Sequence, residues 1–255
     1  MTLSTLEYSE IQKIRKLPIT FHKICPYSSG TQEEQKTEKK GLSIVALFSD
    51  NDKEQIRTEI IKKIHDLHYV FAPANNLHST LLTIYPSKNI YPEKPNDYIN
   101  SIIRDNLQNF FASRRKSITI TLNFNEIRPG TWYGLDNSQI PNASNGTLVA
   151  VGDPSINDGN EKFVTLANEL VCNLKNNLGQ IFSDKFDRKF PTVWSTLGYF
   201  DQEDFYITQK FADTFYQFKK NYSKNPLKIT LDSVWLVEYS FKDLRDANPL
   251  LEFPL

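Results

Sequence analysis

Cysteine is nearly absent from this 255-residue chain, with only Cys25 and Cys172 present. A disulfide scaffold and a cysteine-rich zinc site are therefore excluded. Glycine is also sparse: the nine residues are scattered and form neither a Walker-type nor a dinucleotide-binding loop. No apolar run approaches the roughly 18 residues that a membrane span needs. The opening stretch MTLSTLEYSEIQKIRK places charges where a secretory signal requires an apolar block. A soluble cytoplasmic protein is expected. Charge of one sign is missing too, since Lys+Arg and Asp+Glu number 30 each. That balance predicts no strong duplex nucleic-acid footprint and no membrane partner.

What is present suffices for a packed core: 39% of residues are hydrophobic and 13% aromatic. Residues 1–40 read as an N-terminal arm ending in the charged loop Ser28–Lys40, and residues 241–255 as a C-terminal tail. Between them the chain repeats one order of elements. The first unit, about 41–127, opens with the apolar strand Leu42–Phe48. Asn51 and Asp52 offer helix caps, and Ile56, Ile60, Ile64 and Leu67 follow at helical spacing. Next come a strand over Leu77–Ile84 and a helix over about Asp97–Phe111. The strand Ser117–Ile127 closes the unit, with Ile118, Ile120, Leu122 and Phe124 alternating with polar residues.

The second unit, about 146–240, runs in the same order. Its strand Thr147–Val151 precedes Asn157-Asp158 and a helix with Phe163, Leu166, Leu170, Leu174 and Leu178 on one face, stopped by Gly179. The strand Val193–Phe200 and a helix carrying Phe211, Phe215 and Phe218 lead to Leu227–Ser240, where a parity change predicts a bulge. The tripeptide Ser-Thr-Leu falls on the middle strand of both units, at 79–81 and 195–197. Two such units most simply pack as pseudo-symmetric lobes, each a sheet with helices on its outer face.

Residues two apart on a strand share a face, so His78 pairs with Thr80 and Trp194 with Thr196. The His-x-Thr-Leu strand, met at matched places in two such lobes, resembles the 2H phosphoesterase superfamily, which includes the RNA 2′,3′-cyclic phosphodiesterases and 2′-5′ RNA ligase-like proteins. The resemblance in element order covers about 41–240. It implies an α+β fold of two lobes with antiparallel-rich sheets around a central cleft. It also implies a mechanism in which two histidines act as base and acid while two threonines hold the phosphate, with no metal or other cofactor.

Here His78 and Thr80 match the first motif and Thr196 and Leu197 the second, but Trp194 stands at the second histidine position. An indole does not exchange protons near neutral pH, and no histidine follows His78. The expectation is thus a divergent phosphoesterase-like protein that recognises a nucleotide or RNA-end phosphate, with lost or altered activity. His78 is the candidate catalytic residue, and Thr80 and Thr196 the phosphate ligands. Trp194, Trp132 and Tyr133 are candidates to stack on a base. The alternative is an active cyclic phosphodiesterase in which His78 works with another group such as Tyr133, Tyr199 or Arg128. A monomer is expected.

His65 and His68 lie near a helix C-terminus, where the dipole favours cationic side chains, and they do not read as metal ligands. His22 and Cys25 are isolated in the arm, and Cys172 reads as a small buried hydrophobe.

Overall fold

A computed structural model describes residues 23–24, 41–67, 71–74, 76–85, 97–114, 118–131, 144–178, 193–200, 205–206, 209–240, 244 and 246–255. The strands are β1 (Lys23–Ile24), β2 (Gly41–Leu47), β3 (Phe71–Pro73), β4 (His78–Tyr85), β5 (Ile120–Phe124), β6 (Glu126–Thr131), β7 (Ser144–Gly152), β8 (Val193–Phe200), β9 (Phe205–Tyr206), β10 (Leu227–Leu231), β11 (Ser233–Tyr239) and β12 (Asn248–Pro254). The α-helices are α1 (Asp50–Ile56), α2 (Lys62–His65), α3 (Asp97–Ser113), α4 (Asp158–Leu178) and α5 (Gln209–Lys224). Strand β4 heads a four-stranded antiparallel sheet of order β4-β2-β11-β12. A six-stranded sheet runs β3-β8-β7-β1-β9, with β6 also pairing β7. Strands β5 and β10 form a two-stranded ladder. The fold is α+β, as expected.

The two halves exchange their closing strands. Residues 117–127 were expected as one strand, but the chain leaves β5 at Asn125 and enters a different sheet as β6, pairing β7 of the second half. The second half does the same at Asp232: β10 pairs β5, and β11 then crosses to β2. The parity change read as a bulge within 227–240 is this passage between sheets. Each half thus completes the other's sheet, and the contiguous boundaries 41–127 and 146–240 do not coincide with them. Nor are the ends mere appendages. Strand β12 pairs β11 within the expected tail, and β1 joins β7 and β9 from within the expected arm.

One hydrophobic core lies between the sheets and the helices. Phe124, Phe200, Phe211 and Phe218 are fully buried in it, and each such side chain contributes roughly 1.5–3 kcal/mol of burial. The stripe Phe163, Leu166, Leu170 and Leu174 faces this core as its spacing requires. Cys172, two residues past Leu170, falls on the opposite side of α4 and is exposed, so it is not the buried hydrophobe expected. Helix α1 is capped by Ser49 rather than Asn51. The Ser49 hydroxyl accepts from the Asp52 amide, and the Asp52 carboxylate accepts from the Ser49 amide. A π-helical turn, Arg57–Ile61, links α1 to α2 and lets Ile60 and Ile61 both be buried. Gly179 and the charged loop Ser28–Lys40 lie outside the described residues.

Candidate functional site

The repeated Ser-Thr-Leu has a backbone cause. On β4, Val45 faces Thr80 and Ile44 faces Leu82, so Leu81 is an extra, bulged residue. On β8, Val149 faces Thr196 and Leu148 faces Gly198, so Leu197 is bulged at the equivalent point. In both strands the serine points into the core, the threonine away from it, and the bulged leucine returns inward. Leu47 faces His78 and Val151 faces Trp194. The two middle strands are therefore hung on their neighbours in one register, and they lie against each other.

This register defines a sheet face directed away from the main core. On the β4 side it carries His78, Thr80 and Thr83, then Ser43, Val45 and Leu47 on β2, then Trp235 and Val237 on β11. On the β8 side it carries Trp194, Thr196 and Tyr199, then Thr147, Val149 and Val151 on β7, then Glu126 and Arg128 on β6. Thr80 and Thr196 are half-buried. Trp194 is 37% exposed, so it does not serve as core packing.

His78 is buried to 9% exposure, and its Nδ1 lies 2.7 Å from the carbonyl oxygen of Asn76. A carbonyl only accepts, so Nδ1 carries the hydrogen. Nε2 is then the ring nitrogen with the lone pair when the imidazole is neutral, and it is the atom that takes up or releases a proton.

The two wings of the face differ in chemistry. Beside β4, Val45, Val237, Tyr239 and Leu244 form a second, smaller apolar cluster, with Trp235 packed against it. Tyr239 Oη lies 3.2 Å from Ser43 Oγ, which lies 3.4 Å from Thr83 Oγ1. Burial raises the Tyr239 pKa above the ordinary phenol value against the opposing effect of these hydroxyls, so the phenol stays neutral. Beside β8, the buried Arg128 lies 3.5 Å from Glu126, and Lys219 of α5 approaches the same carboxylate at 3.6 Å. Glu126 thus lies between two cations.

Among the sequence candidates, the structure puts His78 with Thr80 and Trp194 with Thr196 on two touching strands, and places Arg128 and Tyr199 on the same face as Thr196. Trp132 and Tyr133 lie outside the described residues. His65 packs edge-on against Phe71, with ring centres 5.9 Å apart, and His68 lies outside the described residues. Among the described residues no three His, Cys, Asp or Glu side chains gather in a way that could hold a metal ion, and no helix is long and apolar enough to cross a membrane. Sequence reasoning missed Trp235, Asn76 and Leu244. The signal for Trp235 was available, because Val234, Trp235, Leu236 and Val237 form an unbroken apolar run, as in a strand buried on both faces.

The solved structures that this chain is similar to include the protein TT0787 of Thermus thermophilus, at TM-score 0.50 and 14% identity over 84% of this chain and 97% of that one. They also include the conserved protein of unknown function ATU0111 from Agrobacterium tumefaciens, at TM-score 0.51 and 14% identity over 84% of this chain and 85% of that one. E. coli LigT complexed with 3′-AMP aligns at 17% identity and TM-score 0.47, over 86% of this chain and 99% of that one. At such identities the likeness is one of fold. No protein-family model and no curated protein matches the sequence.

Proposed function

We propose that this chain, whose fold is that of the 2H phosphoesterase superfamily, recognises a nucleotide or RNA-end phosphate, cyclic phosphates included. The proposed seat is a groove between the His78–Thr80 and Trp194–Thr196 strands, with phosphodiesterase turnover lost or strongly reduced. The observation that carries this reading is the shared register of those strands, with an acid–base group at only one of the two equivalent places. Thr80 and Thr196 each offer a hydroxyl donor, suited to the equatorial oxygens of a phosphate. His78 Nε2 accepts a hydrogen bond from a protonated phosphate or from an attacking water.

Hydrolysis of a cyclic phosphodiester needs a second proton transfer, to the departing ribose oxygen. Trp194 donates a hydrogen bond there but supplies no proton, and losing one such group typically costs about 10²–10⁴-fold in rate. Binding outlasts turnover in this arrangement. A second reading, residual cyclic phosphodiesterase activity through His78, draws on Arg128, whose permanent charge can stabilise a developing alkoxide without protonating it.

Calorimetry with 3′-AMP and 2′,3′-cyclic AMP, paired with chromatography of the incubated cyclic nucleotide, tests both readings. Saturable binding without hydrolysis is expected. Thr80→Val and Thr196→Val should each weaken it about 10–100-fold, the loss of a hydrogen bond to a charged group. Unchanged dissociation constants in both variants would overturn the proposal. Slow hydrolysis abolished by His78→Ala would establish the second reading.

A further inference from the structure

We infer that Asn76 is a positioning residue for His78, held by the carbonyl of Leu244 beyond β11, so that the C-terminal part of the chain helps set which nitrogen of His78 carries the hydrogen. This rests on the role given to His78 above and deepens it. Asn76 uses its two ends differently. Its backbone carbonyl accepts the Nδ1 hydrogen of His78 at 2.7 Å, while its side-chain amide donates to the Leu244 carbonyl at 2.5 Å, across 168 residues of sequence.

The residue that offers this carbonyl is itself fixed. Leu244 is the one non-glycine residue with positive φ among those described, at 56°, a conformation that costs a branched side chain energy and persists only where its surroundings hold it. Those surroundings are visible. The Leu244 side chain is 2% exposed in the cluster with Val45, Val237 and Tyr239, on the same sheet face that carries Thr80. The Leu244 carbonyl also accepts from the Ala247 amide at 3.0 Å, and the Asp246 carboxylate accepts from the Ser240 amide at 3.0 Å. Strand β12 follows and pairs β11. The left-handed residue turns a carbonyl toward the loop before β4, and Asn76 transmits that fixed point to the imidazole.

A neutral imidazole has two tautomers, and the partner of one nitrogen decides where the hydrogen resides. Release of Asn76 frees its carbonyl to drift, and the Nε2–H form, useless as an acceptor toward a ligand, becomes populated.

Asn76→Leu keeps the side chain's approximate size and removes its donor. Imidazole ¹⁵N shifts, measured at a pH where His78 is neutral, should show the Nδ1–H form dominant in the parent protein and mixed with Nε2–H in the variant, at unchanged β-sheet content by circular dichroism. Affinity for 3′-AMP should fall about 10–100-fold alongside, the range for loss of an orienting partner behind a functional imidazole. Asn76→Ser, which retains a donor, should recover part of both effects; Asn76→Ala, which lacks the donor, replaces Asn76→Leu as the test if that variant does not fold. An Nδ1–H population equal to the parent's in a folded donorless variant would overturn the inference. The ¹⁵N readout needs no ligand, so absence of 3′-AMP binding in the parent would refute the proposed function and leave the positioning test standing.

Discussion

Replacing Trp194 by histidine is the sharpest test of whether the proposed site has phosphoesterase geometry. Residue 194 stands against Val151 as His78 stands against Leu47, each two residues before a threonine and three before a bulged leucine. An imidazole at 194 therefore leaves the sheet from the backbone position equivalent to that of His78. The substitution is structurally cheap. Complete burial of a large apolar side chain contributes roughly 1.5–3 kcal/mol, and Trp194, at 37% exposure, realises only part of that. A loss of about 1 kcal/mol is expected, equivalent to a Tm decrease of about 2–4 °C in a chain of this size. The chemical gain is larger. Placing a general acid opposite the proposed general base is worth about 10²–10⁴-fold in rate. The assay is chromatographic conversion of 2′,3′-cyclic AMP to a monophosphate by Trp194→His, with Trp194→His/His78→Ala as the control expected to be inert. A Trp194→His protein that melts within a few degrees of the parent and binds 3′-AMP, yet hydrolyses nothing, would show that the faces do not meet at catalytic distance.

Two stability predictions rest on contacts rather than on function. The hydroxyls of Ser79 and Ser195 are buried at the core side of the middle strands and make no hydrogen bond among the described residues. Ser195→Ala should therefore raise Tm by about 2–4 °C, as removal of a buried unpaired hydroxyl is worth about 1 kcal/mol; a fall in Tm in calorimetric scans would mean that a water satisfies the oxygen. Gly159, in the first turn of α4, lies where a β-carbon would collide with the Thr121 carbonyl of β5. Gly159→Ala should destabilise by about 1–3 kcal/mol in urea titrations, through forced separation of helix and strand, and an unchanged midpoint would refute that account.

The elements were legible wherever one face of the chain decided their fate. The stripe on α4 and the phenylalanines of α5 matched their burial, and β8 was read at its observed boundaries. Pairing was not legible, because pleat parity records which side of a strand is buried and nothing about which strand lies beside it. That is why Asn125 and Asp232 read as strand interior or bulge when the chain changes sheets there. Strand β12 was missed for a related reason. Its alternation is weak, Asn248-Pro249-Leu250-Leu251-Glu252, since an edge strand buries little of either side. The matched placement of His78 and Thr80 on one strand and Trp194 and Thr196 on the other was legible because a short motif recurred there. Asn76 and Leu244 were not, since their link is one side-chain hydrogen bond to a backbone carbonyl far along the chain, and no periodicity encodes such a contact.

The exchange of closing strands bears on the site itself. Because β11 comes from the second half and β6 from the first, each middle strand sits two strands away from a residue of the opposite half. Thr80 is backed by Val45 and then Trp235, and Thr196 by Val149 and then Arg128. Equivalent positions thus carry an aromatic ring on one side and a guanidinium on the other. A ligand with two identical ends gains nothing from this difference, whereas one with a base at one end and a second anionic group at the other fits it in a single orientation. Trp194, 37% exposed two residues before Thr196, adds a further flat surface to the proposed phosphate seat. An indole at this place supplies stacking area and no transferable proton, so under the proposed function it favours retention of a ligand over its turnover. On that reading the chain holds a phosphorylated nucleotide or RNA end rather than releasing a hydrolysed product.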